Sequence, residues 1–95
     1  MNIRRLLLDV DKMVARPSLI ELAEAINSVN GVEALNIVVA EIDIETMDLD
    51  ITIEGNNLEY DKIVEVIEAA GAVIHNIDEI VVGSKILERV TPTRK

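Results

Sequence analysis

The sequence predicts an α+β domain, a four-stranded antiparallel sheet with two helices on one face. Two observations predict it. The hydropathy period switches along the chain between the helical repeat and strict alternation, in the order strand, helix, strand, strand, helix, strand. The two halves also echo each other, since Asn30-Gly31-Val32-Glu33-Ala34-Leu35-Asn36-Ile37 resembles Ala70-Gly71-Ala72-Val73-Ile74-His75-Asn76-Ile77. Two split βαβ units in this order make the ferredoxin-like sandwich. Right-handed crossovers place the first and third strands side by side at its centre.

The first strand runs from Ile3 to Val10, with Leu6, Leu8 and Val10 on one apolar face. A loop, Asp11 to Arg16, leads to Pro17 and Ser18. Ser18 with Glu21 three residues later forms a capping box that opens the first helix. Leu19, Leu22, Ala23, Ile26 and Val29 share its apolar face, and Gly31 is expected to cap its C-terminus. From Val32 to Glu54 alternation predicts a hairpin turning near Glu45-Thr46. Val38, Ala40, Ile42 and Ile44 face inward from one arm, and Met47, Leu49, Ile51 and Ile53 from the other. The expected register sets Asp43 opposite Asp48, Ile44 opposite Met47, Ile42 opposite Leu49 and Ala40 opposite Ile51. Gly55-Asn56-Asn57 reads as a turn with an Asn cap. The second helix follows, with Leu58, Ile63, Val66, Ile67 and Ala70 inward and Gly71 at its end. Ala72 to Val82 is the fourth strand. Residues 83–95 form a basic tail, either a short helix up to Pro92 or an extra strand.

The chain has 95 residues, enough for one domain with one modest core. It is 49% hydrophobic with a net charge of −9, no cysteine and a single aromatic residue, Tyr60. An acidic chain lacks the basic face that phosphate binding needs, so nucleic acid is not an expected partner. Without cysteine there is no disulfide, thiolate metal site or cysteine nucleophile. The N-terminus carries only a short apolar run, Leu6 to Leu8, followed by Asp9, so neither a signal peptide nor a membrane span is expected. The expectation is a cytoplasmic protein without a membrane partner.

The charge is unevenly distributed. Between Pro17 and Ile80 lie fifteen acidic residues and one basic one, a net of −14; outside that window the net is +5. Such a polarity suits head-to-tail homo-oligomers, with Arg4, Arg5, Lys85 and Arg89 contacting a neighbouring copy. The sheet face away from the helices is expected to carry Glu41, Asp43 and Glu45 on one strand and Asp48, Asp50 and Glu54 on the next. Like charges opposite each other are destabilising. Calcium or another divalent cation held by Glu41, Asp43, Glu45, Asp48 and Asp50 would offset that repulsion, as would pairing of Arg5 with Asp48 or Asp50. His75, on the fourth strand, is brought toward Asp9 or Asp11. No arrangement of nucleophile and base has motif spacing and no glycine-rich loop cradles phosphate, so enzyme activity is not expected.

Related families on this fold are separated by missing residues. RNA-recognition domains need strand aromatics, and heavy-metal domains need paired cysteines in the first loop; both are absent here. Arg16-Pro17-Ser18 echoes the Pro-Gly pair leading into the first helix of ACT-type regulatory domains, with Ser18 replacing glycine. That keeps a small-molecule ligand at this loop or at a subunit interface as the alternative reading. The whole chain resembles an archaeal family known as domain of unknown function two-eleven. The likeness is carried by Ile3 to Asp11, Ala40-Glu41-Ile42-Asp43-Ile44-Glu45-Thr46, Ile51-Thr52-Ile53-Glu54-Gly55, and Gly71 to Ile80. The resemblance implies a ferredoxin-like domain that assembles into larger oligomers and has no established reaction.

Overall fold

The computed structural model describes residues 1–89. Its elements are β1 (Ile3–Met13), α1 (Leu19–Asn27), β2 (Val32–Ile42), β3 (Thr46–Gly55), α2 (Tyr60–Ala70) and β4 (Val73–Val82). The strands form one antiparallel sheet in the order β2-β3-β1-β4, so β1 and β3 are the central pair as the crossover rule requires. This is the ferredoxin-like βαββαβ arrangement.

Alternation on the two central strands builds the core. Leu6, Leu8 and Val10 of β1, with Leu49, Ile51 and Ile53 of β3, are buried against Leu22 and Ile26 of α1 and Ile63 and Ile67 of α2. Burying each such side chain contributes roughly 1.5–3 kcal/mol. β1 extends three residues beyond the expected strand, because Asp11, Lys12 and Met13 pair with Asp48, Met47 and Thr46. Lys12 therefore falls on the helix side and is buried. Its ammonium donates to the carbonyls of Met13 at 2.7 Å and Val14 at 3.3 Å.

The first helix begins as its sequence requires. Glu21 N–H donates to the Ser18 hydroxyl at 3.0 Å, and Ser18 N–H donates to the Glu21 carboxylate at 2.9 Å. Donation from Ser18 to the carboxylate, from its backbone N–H first, holds the Glu21 carboxyl below its ordinary pKa. The helix stops at Asn27 with Ser28 as its C-cap, earlier than the expected glycine. Gly31 instead sits three residues on, at φ 95°, where its carbonyl accepts from Asn56 N–H at 3.0 Å. A Cβ on Gly55 would collide with that carbonyl, so the β2 and β3 ends close only around glycine.

The Asn cap of the second helix is not formed. The N-cap is Glu59, without a side-chain hydrogen bond. Asn57 adopts φ 52°, and its N–H donates to the Asn2 side chain at 2.7 Å, while Asn2 also donates to Asn56 at 2.9 Å. The asparagines fasten the N-terminus rather than the helix. Gly71 does end α2 in the left-handed conformation, at φ 104°.

The hairpin register also differs from expectation. Glu41 lies opposite Asp48, Ile42 opposite Met47, Val39 opposite Leu49 and Ile37 opposite Ile51. A bulge at Ala40 inserts one unpaired residue and inverts the phase of the strand back to Ala34, where a second irregularity at Glu33 returns Val32 to the core side. Leu35, Ile37 and Val39 therefore pack on the core, whereas Val38 points to the open face and is 50% exposed. Ile44, expected inside, is at the hairpin tip. The tail is neither helix nor strand over residues 83–89; Pro92 lies outside the described residues.

Replacing Ser18 by alanine should cost about 1 kcal/mol, within the 0.5–2 kcal/mol range for lost N-caps. In a domain of this size that lowers Tm by roughly 4–8 °C, measurable by circular dichroism. Asn57→Ala should cost through its left-handed backbone alone, with the N–H contact to Asn2 and the helix start unchanged.

Candidate functional site

Because β1 and β3 bury every second residue against the helices, the residues between them face away. On β1 these are Arg5, Leu7, Asp9 and Asp11, and on β3 Asp48, Asp50, Thr52 and Glu54. Antiparallel pairing then sets Asp11 opposite Asp48 and Asp9 opposite Asp50. Glu41 flanks Asp48 from β2, so three carboxylates lie in one row across three strands. Oxygens of Asp9, Asp11 and Asp48 all lie within 4.8 Å of one another.

Repulsion and partial burial mark this cluster. Asp9 is raised above its ordinary pKa, first by desolvation and then by the charge of Asp48. Asp11 is raised chiefly by a hydrogen bond with Asp48 that favours its protonated form, with desolvation second. His75 stands beside them, its Nδ1 3.7 Å from the Asp11 carboxylate, on the side of β1 where the antiparallel order of β4 brings it.

The candidate ligands named from the sequence are placed unequally. Asp48 joins the cluster, and Asp50 lies opposite Asp9. Glu41 and Asp43 line a small neighbouring cavity of about 90 Å³ with Thr46, Met47 and Asp48. Glu45 is in the hairpin tip, where its carbonyl accepts from Val14 N–H at 2.8 Å. Asp9 and Asp11 were not among those candidates as ligands. Their signal was present nonetheless: once β1 is central, an Asp-x-Asp on its outward phase must face Asp48 and Asp50.

The basic residues occupy the other end of the same face. Arg5 is buried and pairs with Glu54 at 2.8 Å and Glu79 at 3.7 Å, not with Asp48 or Asp50. The reason is register: Arg5 lies opposite Glu54 on β3 and Val81 on β4, at the far end of β1 from the aspartates. It is thus committed to its own chain rather than exposed to a neighbour. Arg4 donates to the carbonyls of Gly55 at 2.7 Å and Ser84 at 2.9 Å. Arg89 reaches Glu79 of its own sheet at 3.3 Å, and Lys85 is exposed. At the ACT-like position the Ser18 hydroxyl is occupied by the helix cap.

A family model for uncharacterized ArCR proteins, DUF211, matches residues 4–95. The chain belongs to the DUF211 family. An uncharacterized protein of Methanocaldococcus jannaschii, MJ0319, is 47% identical over 89 residues, covering 94% of this chain and 91% of that protein. The match to this archaeal relative of the DUF211 chain thus runs over nearly the full length of both proteins. Among the described residues, no helix is long and apolar enough to cross a membrane.

Two outcomes follow from the electrostatics. The raised carboxyls bind protons more tightly folded than unfolded, so their contribution to stability is complete below the unfolded value and is lost as pH rises through the folded one. In chelator, Asp11→Asn should therefore raise Tm at pH 7, with the gain over the native protein shrinking as pH falls through the raised folded value and gone below about pH 4. Arg5→Leu leaves Glu54 without its cation and Glu79 with Arg89 alone. It should cost about 3 kcal/mol, the lower end for a broken buried pair because Glu54 is partly solvated, measurable by urea denaturation.

Proposed function

We propose that this chain is a non-catalytic, self-associating domain that holds a hard divalent cation, calcium by preference, on the open face of its sheet. Asp9, Asp11 and Asp48 supply the protein ligands, with Glu41 and Asp50 beside them. The observation that carries this reading is the 4.8 Å limit on the separation of the three oxygens. Two oxygens on one calcium, each at about 2.3–2.6 Å, stand up to about 5 Å apart, so the row fits around a single ion. Calcium takes six to eight oxygens and tolerates irregular geometry, which suits a flat sheet whose remaining positions are open to water. The cation also offsets the Asp48 charge, which adds to desolvation at Asp9 and to the Asp48 hydrogen bond at Asp11 in raising both carboxyls. The non-catalytic reading rests on the same geometry, a surface row of carboxylates without a closed cavity to exclude water.

Self-association is supported by the charge division of the chain, −14 over its middle and +5 outside it. Among the described residues of the tail, Lys85 and Arg89 are exposed cations on offer to a neighbour. Exposed Val38 and Ile42 on one edge strand and Ile77 and Ile80 on the other add apolar area.

Calcium at one hundred times its Kd should add about 2.7 kcal/mol of stability, read as a rise in Tm over the chelated protein. Asp48→Asn should abolish that rise while making the chelated protein more stable, since it removes a like charge. An unchanged Tm in excess calcium overturns the cation reading. Light scattering at low salt should give a mass several times that of one chain, falling as salt rises; a monomer at low salt overturns self-association.

A further inference from the structure

At the end of the open face opposite the aspartates, the sheet and the arm that follows β4 enclose a second site of different chemistry. A cavity of about 330 Å³ is lined by Ala34, Leu35 and Asn36 of β2, Thr52 and Glu54 of β3, and Arg89 of the arm. That volume lies within the ~300–1,000 Å³ of small-molecule sites. The register builds it: Ala34 lies opposite Glu54 and Asn36 opposite Thr52, so polar side chains of two strands converge over one small residue.

The charges around the cavity are balanced and held in place. Arg5 Nε donates to Glu54 Oε2 at 2.8 Å, and Arg5 Nη1 lies 3.7 Å from Glu79. Glu79 in turn faces Arg89 at 3.3 Å, so two arginines and two glutamates alternate in one network, of which Glu54 and Arg89 line the cavity. The Arg5 side chain is only 7% exposed, and its Nη1 is buried without a hydrogen-bond partner. Such a group is costly unless its position serves something. Glu54 uses one carboxylate oxygen on Arg5; among the described residues no donor engages the other. Arg89 lines the cavity with half its side chain exposed. The cavity thus presents a carboxylate, a guanidinium, an amide and a hydroxyl together.

We propose that this cavity binds a small zwitterion, a free α-amino acid or a similar amine carboxylate, with its ammonium on Glu54 and its carboxylate on Arg89. A purely anionic or cationic ligand would unbalance a neutral network, whereas a zwitterion matches both poles. Asn36 and Thr52 have the donors and acceptors to fix its orientation. The one aromatic residue, Tyr60, is on α2, so the cavity has no platform for stacking a nucleobase. Arg5 is a positioning residue that holds Glu54 and Glu79 in line. The site is independent of the cation: Glu54 is six residues along β3 from Asp48, about 20 Å at ~3.3 Å per residue.

The test is a titration of the labelled protein, followed in its amide nitrogen–proton spectrum, with each standard amino acid, its N-acetyl derivative, its methyl ester, and glycerol as a polyol control. At least one free amino acid should shift the signals of residues 34–36 and 52–54 in a saturable way and leave those of Asp9, Asp11 and Asp48 in place. Acetylation, esterification, or the variant Arg89→Gln should each weaken binding about tenfold or more, as expected for loss of a charged hydrogen bond. Asn36→Ala, which leaves the charge network intact, should weaken it less. The proposal is overturned if no free amino acid gives a saturable shift at these residues, or if the capped derivatives or glycerol bind as well as the free form.

Discussion

Everything on this molecule's open face follows from the pairing of β1 with β3. These central strands bury Leu6, Leu8 and Val10 beside Leu49, Ile51 and Ile53, each no more than 1% exposed. A one-residue slip in either strand would bring carboxylates to the helices and leucines to water, so the register is strongly specified. The outward residues have no such freedom. Asp9 and Asp11 meet Asp50 and Asp48 because their inward neighbours require it, and the repulsion is a consequence the fold tolerates rather than a contact that holds it together.

The same constraint gives the face two chemically distinct ends. Toward the hairpin tip, carboxylates outnumber cations among the described residues, and the exposed His75 stands beside them. Toward the start of β1, Arg5 lies under Glu54, Glu79 and Arg89, and opposite charges balance. Screening by water governs the first end, since its groups are only partly desolvated. Geometry governs the second, because a buried guanidinium must be met by carboxylates in fixed positions. The arm after β4 belongs to this second end: Gly83 N–H donates to Asn2, Ser84 accepts from Arg4, and Arg89 lies against Glu79. A basic tail read from the sequence as a reach toward a neighbour begins by folding back on its own sheet.

Legibility differed between elements for identifiable reasons. The capping box at Ser18 and the left-handed Gly71 depend on local backbone chemistry, and both are found where the sequence puts them. The hairpin misled because both β2 phases are apolar, with Val38 and Val39 adjacent, so hydropathy could not choose between them. The bulge at Ala40 decided, and a bulge has no composition signal when the residue is alanine. The asparagines at 56 and 57 misled for another reason. The Asn56 side chain accepts from, and the Asn57 backbone N–H donates to, the side chain of Asn2, a partner more than fifty residues away in sequence.

What the sequence by itself determined was the element order, the two-layer class, the inward faces of the central strands and the presence of a dense acidic surface. These depend on periodicity and caps, which are local. Which carboxylates stand together, Asp9 and Asp11 with Asp48, and which cation sinks beneath Glu54 and Glu79, only the tertiary structure decided. Cross-strand neighbours are set by register, and register is the sum of turns and bulges over the whole sheet. One unpaired residue at Ala40 is enough to redraw the opposing side chains, and no local pattern records it.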